Sequence, residues 1–199
     1  MKAPAWLRVV AVVLFGLLLG EALTLAPPSA DGTGAQVMDW MTGAWSGYEP
    51  MMVAHFQLMG VWPFVLAAMC GPWLRGRRIP LWPFALGSMA LGAFALLPGL
   101  AVPRSSGESV PVLRSRWMAP VLGVPTLALL GWAAVAGDPA VWWQAFRTEQ
   151  FIHIMGLDFV VLWLTSIAVA HARDGRGWVC AIPLVGALFW LWTQPAQRS

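Results

Sequence analysis

The chain has 199 residues, 59% of them hydrophobic and only 11% charged, with a formal net charge of +3. Soluble domains carry about 25% charged residues, so this composition, with a mean hydropathy of +0.68, excludes an ordinary water-soluble domain. It points to a single transmembrane domain over residues 1–199, an all-α polytopic helix bundle embedded in a lipid bilayer.

The amino terminus, MKAPAWLRVVAVVLFGLLLGEALTLAPPSA, resembles a secretory signal, but Glu21 follows its apolar core and Pro27 and Pro28 crowd the cut. An uncleaved first span over 7–26 is expected. Its GLLLG (16–20) has the GxxxG spacing that lets helix backbones approach closely. The joint 27–50 is Gly-rich, acidic and free of Lys and Arg. A second span covers 51–73, opens with His55 and Gln57, and contains Trp62–Pro63. Pro63 removes a backbone donor, so a kink or hinge is expected there. RGRR (75–78) follows. A third span covers 81–102, with Ser88 and Gly92 as a small-xxx-small pair. The joint 104–116 is mixed but net basic. A fourth span, 118–136, is interrupted by Pro120 and Pro125. Residues 137–149 lie along the interface. A fifth span covers 150–171. RDGR (173–176) makes a tight turn, with Gly175 in the left-handed position that ends a helix. The sixth span, 177–193, is the shortest.

Spans need about 20 apolar residues, and backbone groups in hydrocarbon must be paired within helices or a closed barrel. The runs are long and continuous rather than alternating, so helices are expected. The few basic residues sit in short loops as topology signals, which argues against a nucleic-acid partner. With the amino terminus inside and six spans, the inner segments hold seven Lys and Arg and the outer ones five, a weak bias. Five spans, with the fourth segment not crossing, is the alternative. Most of the 14 tryptophans fall near span ends, where indole anchors at the headgroups.

Asp158, in FIHIMGLDFVVLW (151–163), is the costly residue. A carboxylate at mid-span costs roughly 2.5–3.5 kcal/mol to insert, so it either sits protonated as a hydrogen-bond donor or faces a wet cavity. Intramembrane carboxylates are functional candidates; a hydrogen bond between helices is the structural reading. Thr165 and Phe151 share its stripe at seven residues, flanked by Met155 and Val161. His153 points elsewhere, toward Glu149 and Gln150 at the helix start. Glu21 either snorkels to the surface or works inside the bundle. A kink at Pro63 would open a polar pocket below His55.

Six spans make the second and fifth antiparallel. His55 and His153 then fall at opposite faces, as do Cys70 and Cys180, and only His55 and His171 could meet. No haem, no metal, no other cofactor and no disulfide are expected, since HExxH and Cys–His clusters are lacking too. A shift of 96 residues lays LMGVWPFVL (58–66) on IMGLDFVVL (154–162). That offset would make spans two and three an inverted repeat of five and six, with no partner for the first span.

The strings FQLMGVWPF, ALGSMALGAFALLPGLA and FIHIMGLDFVVLW resemble a poorly characterised multi-span membrane protein family of bacteria, notably cyanobacteria, with plastid relatives. That family has NLMGVWP and LDF signatures. Gln57 stands where the family has asparagine, and Gly99 where it has tyrosine. The resemblance covers spans two, three and five. It implies an integral membrane location, in a bacterial inner membrane or a thylakoid-type membrane, and supplies no activity and no catalytic residue.

Three functional readings follow. The first is a structural or assembly component that packs against lipid and other membrane subunits. The second is a small proton-coupled transporter using Asp158, with Pro63 as hinge. The third is a membrane enzyme or apolar-ligand site lined by Asp158 and His55. The lack of a reaction motif favours the first. The candidate intramembrane residues are Asp158, His55, Gln57, Glu21 and Thr165.

Overall fold

The computed structural model describes residues 4–70, 87, 92–101 and 118–194. Every regular element among them is a helix. In chain order these are α1 (Ala5–Thr24), α2 (Thr33–Thr42), α3 (Pro50–Cys70), α4 (Ala93–Ala101), α5 (Met118–Ala136), α6 (Pro139–Thr148), α7 (Gln150–Asp174), a 3-10 turn (Gly177–Ala181) and α8 (Val185–Trp192). Four of them, α1, α3, α5 and α7, are long and apolar enough to cross a membrane.

Local chemistry sets the ends. Pro50 opens α3 and Pro139 opens α6, where a missing N–H loses no helical bond. Asp138 caps α6 by accepting the Ala140 N–H at 2.8 Å. Gly175, at φ 75°, ends α7, as the RDGR turn predicts. α3 runs unbroken through Pro63, so the expected hinge does not interrupt the helix.

Contacts at the ends give the directions. Trp6 of α1 lies against His171 of α7, with ring centroids 6.2 Å apart, and Glu21 meets His153 at 3.1 Å; α1 and α7 are antiparallel. Asp138, just past α5, donates its N–H to Glu49, just before α3, at 2.7 Å; α5 and α3 are antiparallel. Arg173, near the end of α7, donates to the Met69 carbonyl, near the end of α3, at 2.8 Å. At the other end Met52, Val53, Ile152 and Met155 share one apolar cluster, so α3 and α7 are parallel. The end of the bundle where α1 starts is proximal, and the end where it stops is distal.

This overturns the expected opposition of the second and fifth spans. His55 and His153 both lie at the distal end, and His171 lies proximally. Cys70 and Cys180 belong to the same apolar cluster, and no disulfide joins them.

The reason lies in the third and sixth segments, neither of which is one long helix. Residues 81–102 fall largely outside the described residues. Gly87 nevertheless faces the Ala95 side chain at van der Waals distance, whereas one helix would hold them about 12 Å apart. The two residues are therefore not on one continuous helix, and Gly92, with φ +53°, stands immediately before α4. In 177–193 the 3-10 turn gives way at Pro183 and Leu184, and α8 runs back. Trp190 and Gln194 both donate to Asp174, at 3.1 and 3.2 Å, so this segment ends beside the residue from which it departed. Eight residues of α8 span about 12 Å, well short of a roughly 30 Å hydrocarbon layer.

The order of long helix, ten-residue helix, long helix and half-helix occurs twice among the described residues, as α1–α4 and α5–α8. The packing repeats with it. α1 packs on α4 as α5 does on α8; α1 on α7 as α5 on α3; α4 on α7 as α8 on α3. The repeat is parallel rather than inverted, and α1, which had no partner by sequence, corresponds to α5.

In a background without Cys70 and Cys180, Ser46→Cys and Ala136→Cys should react with an impermeant thiol reagent from the same side of a vesicle, and Arg176→Cys from the other. Labelling of positions 46 and 136 from opposite sides would restore the six-span order.

Candidate functional site

Asp158 lies on the buried stripe of α7 with Met155, Val161, Leu162 and Thr165, and is 4% exposed. Its Oδ1 accepts the Ala93 N–H at 2.7 Å. Ala93 is the first residue of α4, one of the helix-start donors that no turn of the helix can pair. An acidic side chain there also meets the positive end of the helix dipole. The carboxyl group thus caps a half-helix from 65 residues away. Gly92 makes the approach possible: a Cβ there would run into the Asp158 carboxyl group. Thr165 shares the stripe as expected but bonds within its own helix, to the Val161 carbonyl at 2.7 Å. It is not the partner of Asp158.

Glu21 is half-buried near the distal end of α1. It meets His153 Nε2 at 3.1 Å, and His153 Nδ1 lies 2.9 Å from the Phe146 carbonyl. That carbonyl only accepts, so Nδ1 carries a proton. The histidine expected to pair with Glu149 and Gln150 instead fastens α7 to α1 and α6. Stacking of Phe146 on His153, centroids 4.6 Å apart, adds to this joint.

His55 accepts a hydrogen bond from Trp142 Nε1 at Nδ1, 3.2 Å away. Its proton is then on Nε2, which is buried without a partner among the described residues. Phe159 lies edge-on to the ring at 5.0 Å. Phe159 and Asp158 are neighbours in sequence and point about 100° apart around α7. Among the described residues no hydrogen bond joins His55 to Asp158. Gln57 donates to the Trp40 carbonyl at 2.7 Å, and Trp45 Nε1 does so at 2.9 Å; both tie α2 over the distal end.

Three further fasteners were not among the expected residues. Glu49 accepts the Met52 N–H at 2.8 Å through one oxygen and the Asp138 N–H through the other, joining α3 to the α5–α6 corner. Its place just before Pro50 is the readable signal, that of a helix-start cap. Arg173 caps the carboxyl end of α3 and lies 4.7 Å from the Trp190 ring centroid, a cation at a helix C-terminus. Asp39 accepts from the Tyr48 hydroxyl at 2.6 Å. That bond, with partial burial and the nearby negative charge, raises the Tyr48 pKa above the ordinary 10.0.

Chemically, the arrangement pairs carboxylates with backbone N–H groups or with polar side chains, and Asp174 gathers three of these, from Arg176, Trp190 and Gln194. Among the described residues no three His, Cys, Asp or Glu side chains gather as a metal site. No protein-family model, no curated protein and no solved structure matches the chain.

Two predictions follow from this geometry. Asp158→Asn keeps an oxygen that can accept from Ala93, and should cost about 1 kcal/mol in thermal unfolding in detergent. Asp158→Leu leaves a buried donor unpaired and should cost about 1–3 kcal/mol. Gly92→Ala should be worse than either, since it clashes and strains a positive φ. Equal effects for all three would mean the Ala93 bond is not what matters. Tyr48 is the chain's single tyrosine, so phenolate absorbance reports it alone. The folded protein should titrate above pH 10.0, and Asp39→Asn should bring the midpoint down. The hydroxyl proton stabilises the fold below the unfolded value, and that contribution is lost as pH rises through the folded one.

Proposed function

We propose that the protein is an integral membrane scaffold, a structural or assembly subunit. In this reading it has four crossing helices and two half-helices that enter and leave on the amino-terminal side. The observation that carries this reading is the use of its polar side chains as fasteners. Asp158, the costliest residue at depth, accepts from a backbone N–H of the chain itself. Glu21, Glu49 and Arg173 likewise each join separate elements. The outer faces of α1 and α5 carry exposed Val12, Leu17, Val121, Val124 and Leu127, suited to lipid and to other membrane subunits.

Four crossings also sharpen the orientation. The connection from α3 to α5 then leaves and returns proximally. Every Lys and Arg except Arg147 falls in the proximal segments, in place of the near-even division that six spans produce. By the positive-inside rule the proximal end is cytoplasmic or its equivalent. A bacterial inner membrane or a thylakoid-type membrane fits, as does the resemblance to the cyanobacterial and plastid family.

A second reading, a small proton-coupled transporter using Asp158, draws on one observation: two half-helices in a twofold-repeated architecture, a plan that transporters use around a central site. Purification in mild detergent and reconstitution separate the two. The scaffold reading expects the protein to migrate in a complex larger than its own 21.6 kDa, and expects liposomes containing it to hold a pH gradient. Dissipation of that gradient by the wild type, abolished in a folded Asp158→Asn variant, would establish the transporter instead.

A further inference from the structure

The two halves differ most where their long outer helices meet the half-helices. Between α1 and α4 the seam is closed. Leu7 and Ala11 are buried, Leu96 and Leu97 are almost fully so, and Phe15 packs edge-on to Phe94 with centroids 6.2 Å apart. Between α5 and α8 the seam is open, as a groove of about 260 Å³.

Counting along the corresponding helices explains the difference. Laying Ala119 on Leu7 puts Gly123 on Ala11, Thr126 on Leu14 and Leu127 on Phe15. The same offset aligns the helix ends, since Thr24, the last residue of α1, then falls on Ala136, the last of α5. Six α5 residues line the groove; Ala119, Pro120, Gly123, Thr126 and Leu127 are each smaller than the α1 counterpart, and Val124 falls on the equal-sized Val12. What the first half fills with its own leucines and phenylalanine, the second leaves vacant.

The wall chemistry selects the occupant. The lining is apolar apart from Thr126 and the indole N–H of Trp192 at the proximal end, and the Thr126 hydroxyl already donates to the Leu122 carbonyl at 2.7 Å. The rest of the wall offers a polar ligand no donor or acceptor. The groove is continuous with the exposed α5 face of Val121, Val124 and Leu127. From Ala119 to Leu127 it is about 12 Å long, within one leaflet of a roughly 30 Å hydrocarbon layer. Its proximal end carries exposed Trp192, the last residue of α8. An indole exposed at a helix end is what a lipid headgroup region receives.

We propose that the α5–α8 groove holds one hydrocarbon tail of a membrane lipid, seated with its headgroup toward Trp192. The tail takes the place that Leu7, Leu14 and Phe15 fill in the other half. This rests on the membrane reading above. Transfer from surrounding lipid supplies no hydrophobic gain, so the preference comes from packing contacts.

The test uses full-length protein in phosphatidylglycerol–phosphatidylcholine vesicles that contain a phospholipid with a diazirine in one acyl chain. Crosslinked peptides are then mapped by mass spectrometry. Label should concentrate on 119–127 and 185–192. It should fall about tenfold, the step that 1.4 kcal/mol of packing produces, in Gly123→Leu. A Cβ at Gly123 meets nothing within 4 Å, so a side chain can start there and extend into the groove. Val121→Leu on the open face is the matched control and should label as wild type. Gly123→Ala serves as the milder filler if the leucine variant does not fold. Even labelling of the exposed faces of α1 and α5, unchanged in Gly123→Leu or Gly123→Ala, would overturn the proposal and leave only bulk lipid contact. Crosslinks from the groove to a second copy of the chain, or to its own undescribed segments, would overturn it as well. Absence of label from the whole protein would instead overturn the membrane reading beneath it.

Discussion

A helix that begins deep inside an apolar bundle exposes backbone N–H groups that neither water nor its own turns can pair. That constraint organises this molecule. Among the described residues two such helix starts occur, at Ala93 and Val185, and the chain settles them in different ways. At Ala93 the partner is the Asp158 carboxyl group on α7, which turns an expensive residue into a cap. Removing Asp158 exposes the donor, and removing the donor strands the acid, so each justifies the other's burial. Gly92 completes the joint because only a residue without a Cβ lets the carboxyl group sit so close to the backbone.

The other polar side chains do similar work at the bundle ends. Glu49 links the start of α3 to the corner between α5 and α6, while Arg173 links the end of α7 to the end of α3. Glu21 and His153 hold α1 against α7. These contacts lie at helix ends, where unpaired backbone groups and side-chain reach coincide. Between them the seams are apolar, built around Leu58, Trp62, Leu66 and Leu162 in one cluster and Trp40 and Ile152 in the other. Apolar seams have little directional preference in hydrocarbon, so the polar end contacts supply the register that fixes which helix meets which.

Much of this was legible in the residues, and the failures have a common cause. The runs 7–26, 51–73, 118–136 and 150–171 became α1, α3, α5 and α7, because hydrophobic length is a local property. Asp158 was singled out for its insertion cost, and its inward stripe with Met155, Val161 and Thr165 followed from helical spacing. Residues 177–193 misled because hydropathy reads the same for a segment that crosses and one that enters and returns, and most of 81–102 lies outside the described residues. The break signals were Gly92 and Pro183, single residues in a chain with 20 glycines and 16 prolines. The assumed order of crossings then set the direction of every later element. It separated His55 from His153, hid the parallel repeat, and divided the basic residues almost evenly. The partner of Asp158 left no sequence signal at all, since a backbone N–H is common to every residue but proline.

The second helix start reveals what the repeat retained and what it replaced. The string that places Asp158 on α7 places Trp62 at the matching position of α3, fully buried, so the first long inner helix offers no carboxyl group to the half-helix it packs against. At that half-helix the chain uses its own backbone. The Val185 N–H bonds to the Pro183 carbonyl at 2.6 Å, and Leu184 between them adopts φ 59°, ψ −53°, a tight γ-turn of the strained kind. A leucine at positive φ costs on the order of 1–3 kcal/mol, comparable with the insertion cost of Asp158 in the other half. One half thus meets the constraint with a buried acid and a glycine, the other with backbone strain and an indole. The strained start requires no ionisable partner on α3, which leaves the seam around Trp62, Phe159 and His55 aromatic and confines the chain's deep carboxyl group to a single position.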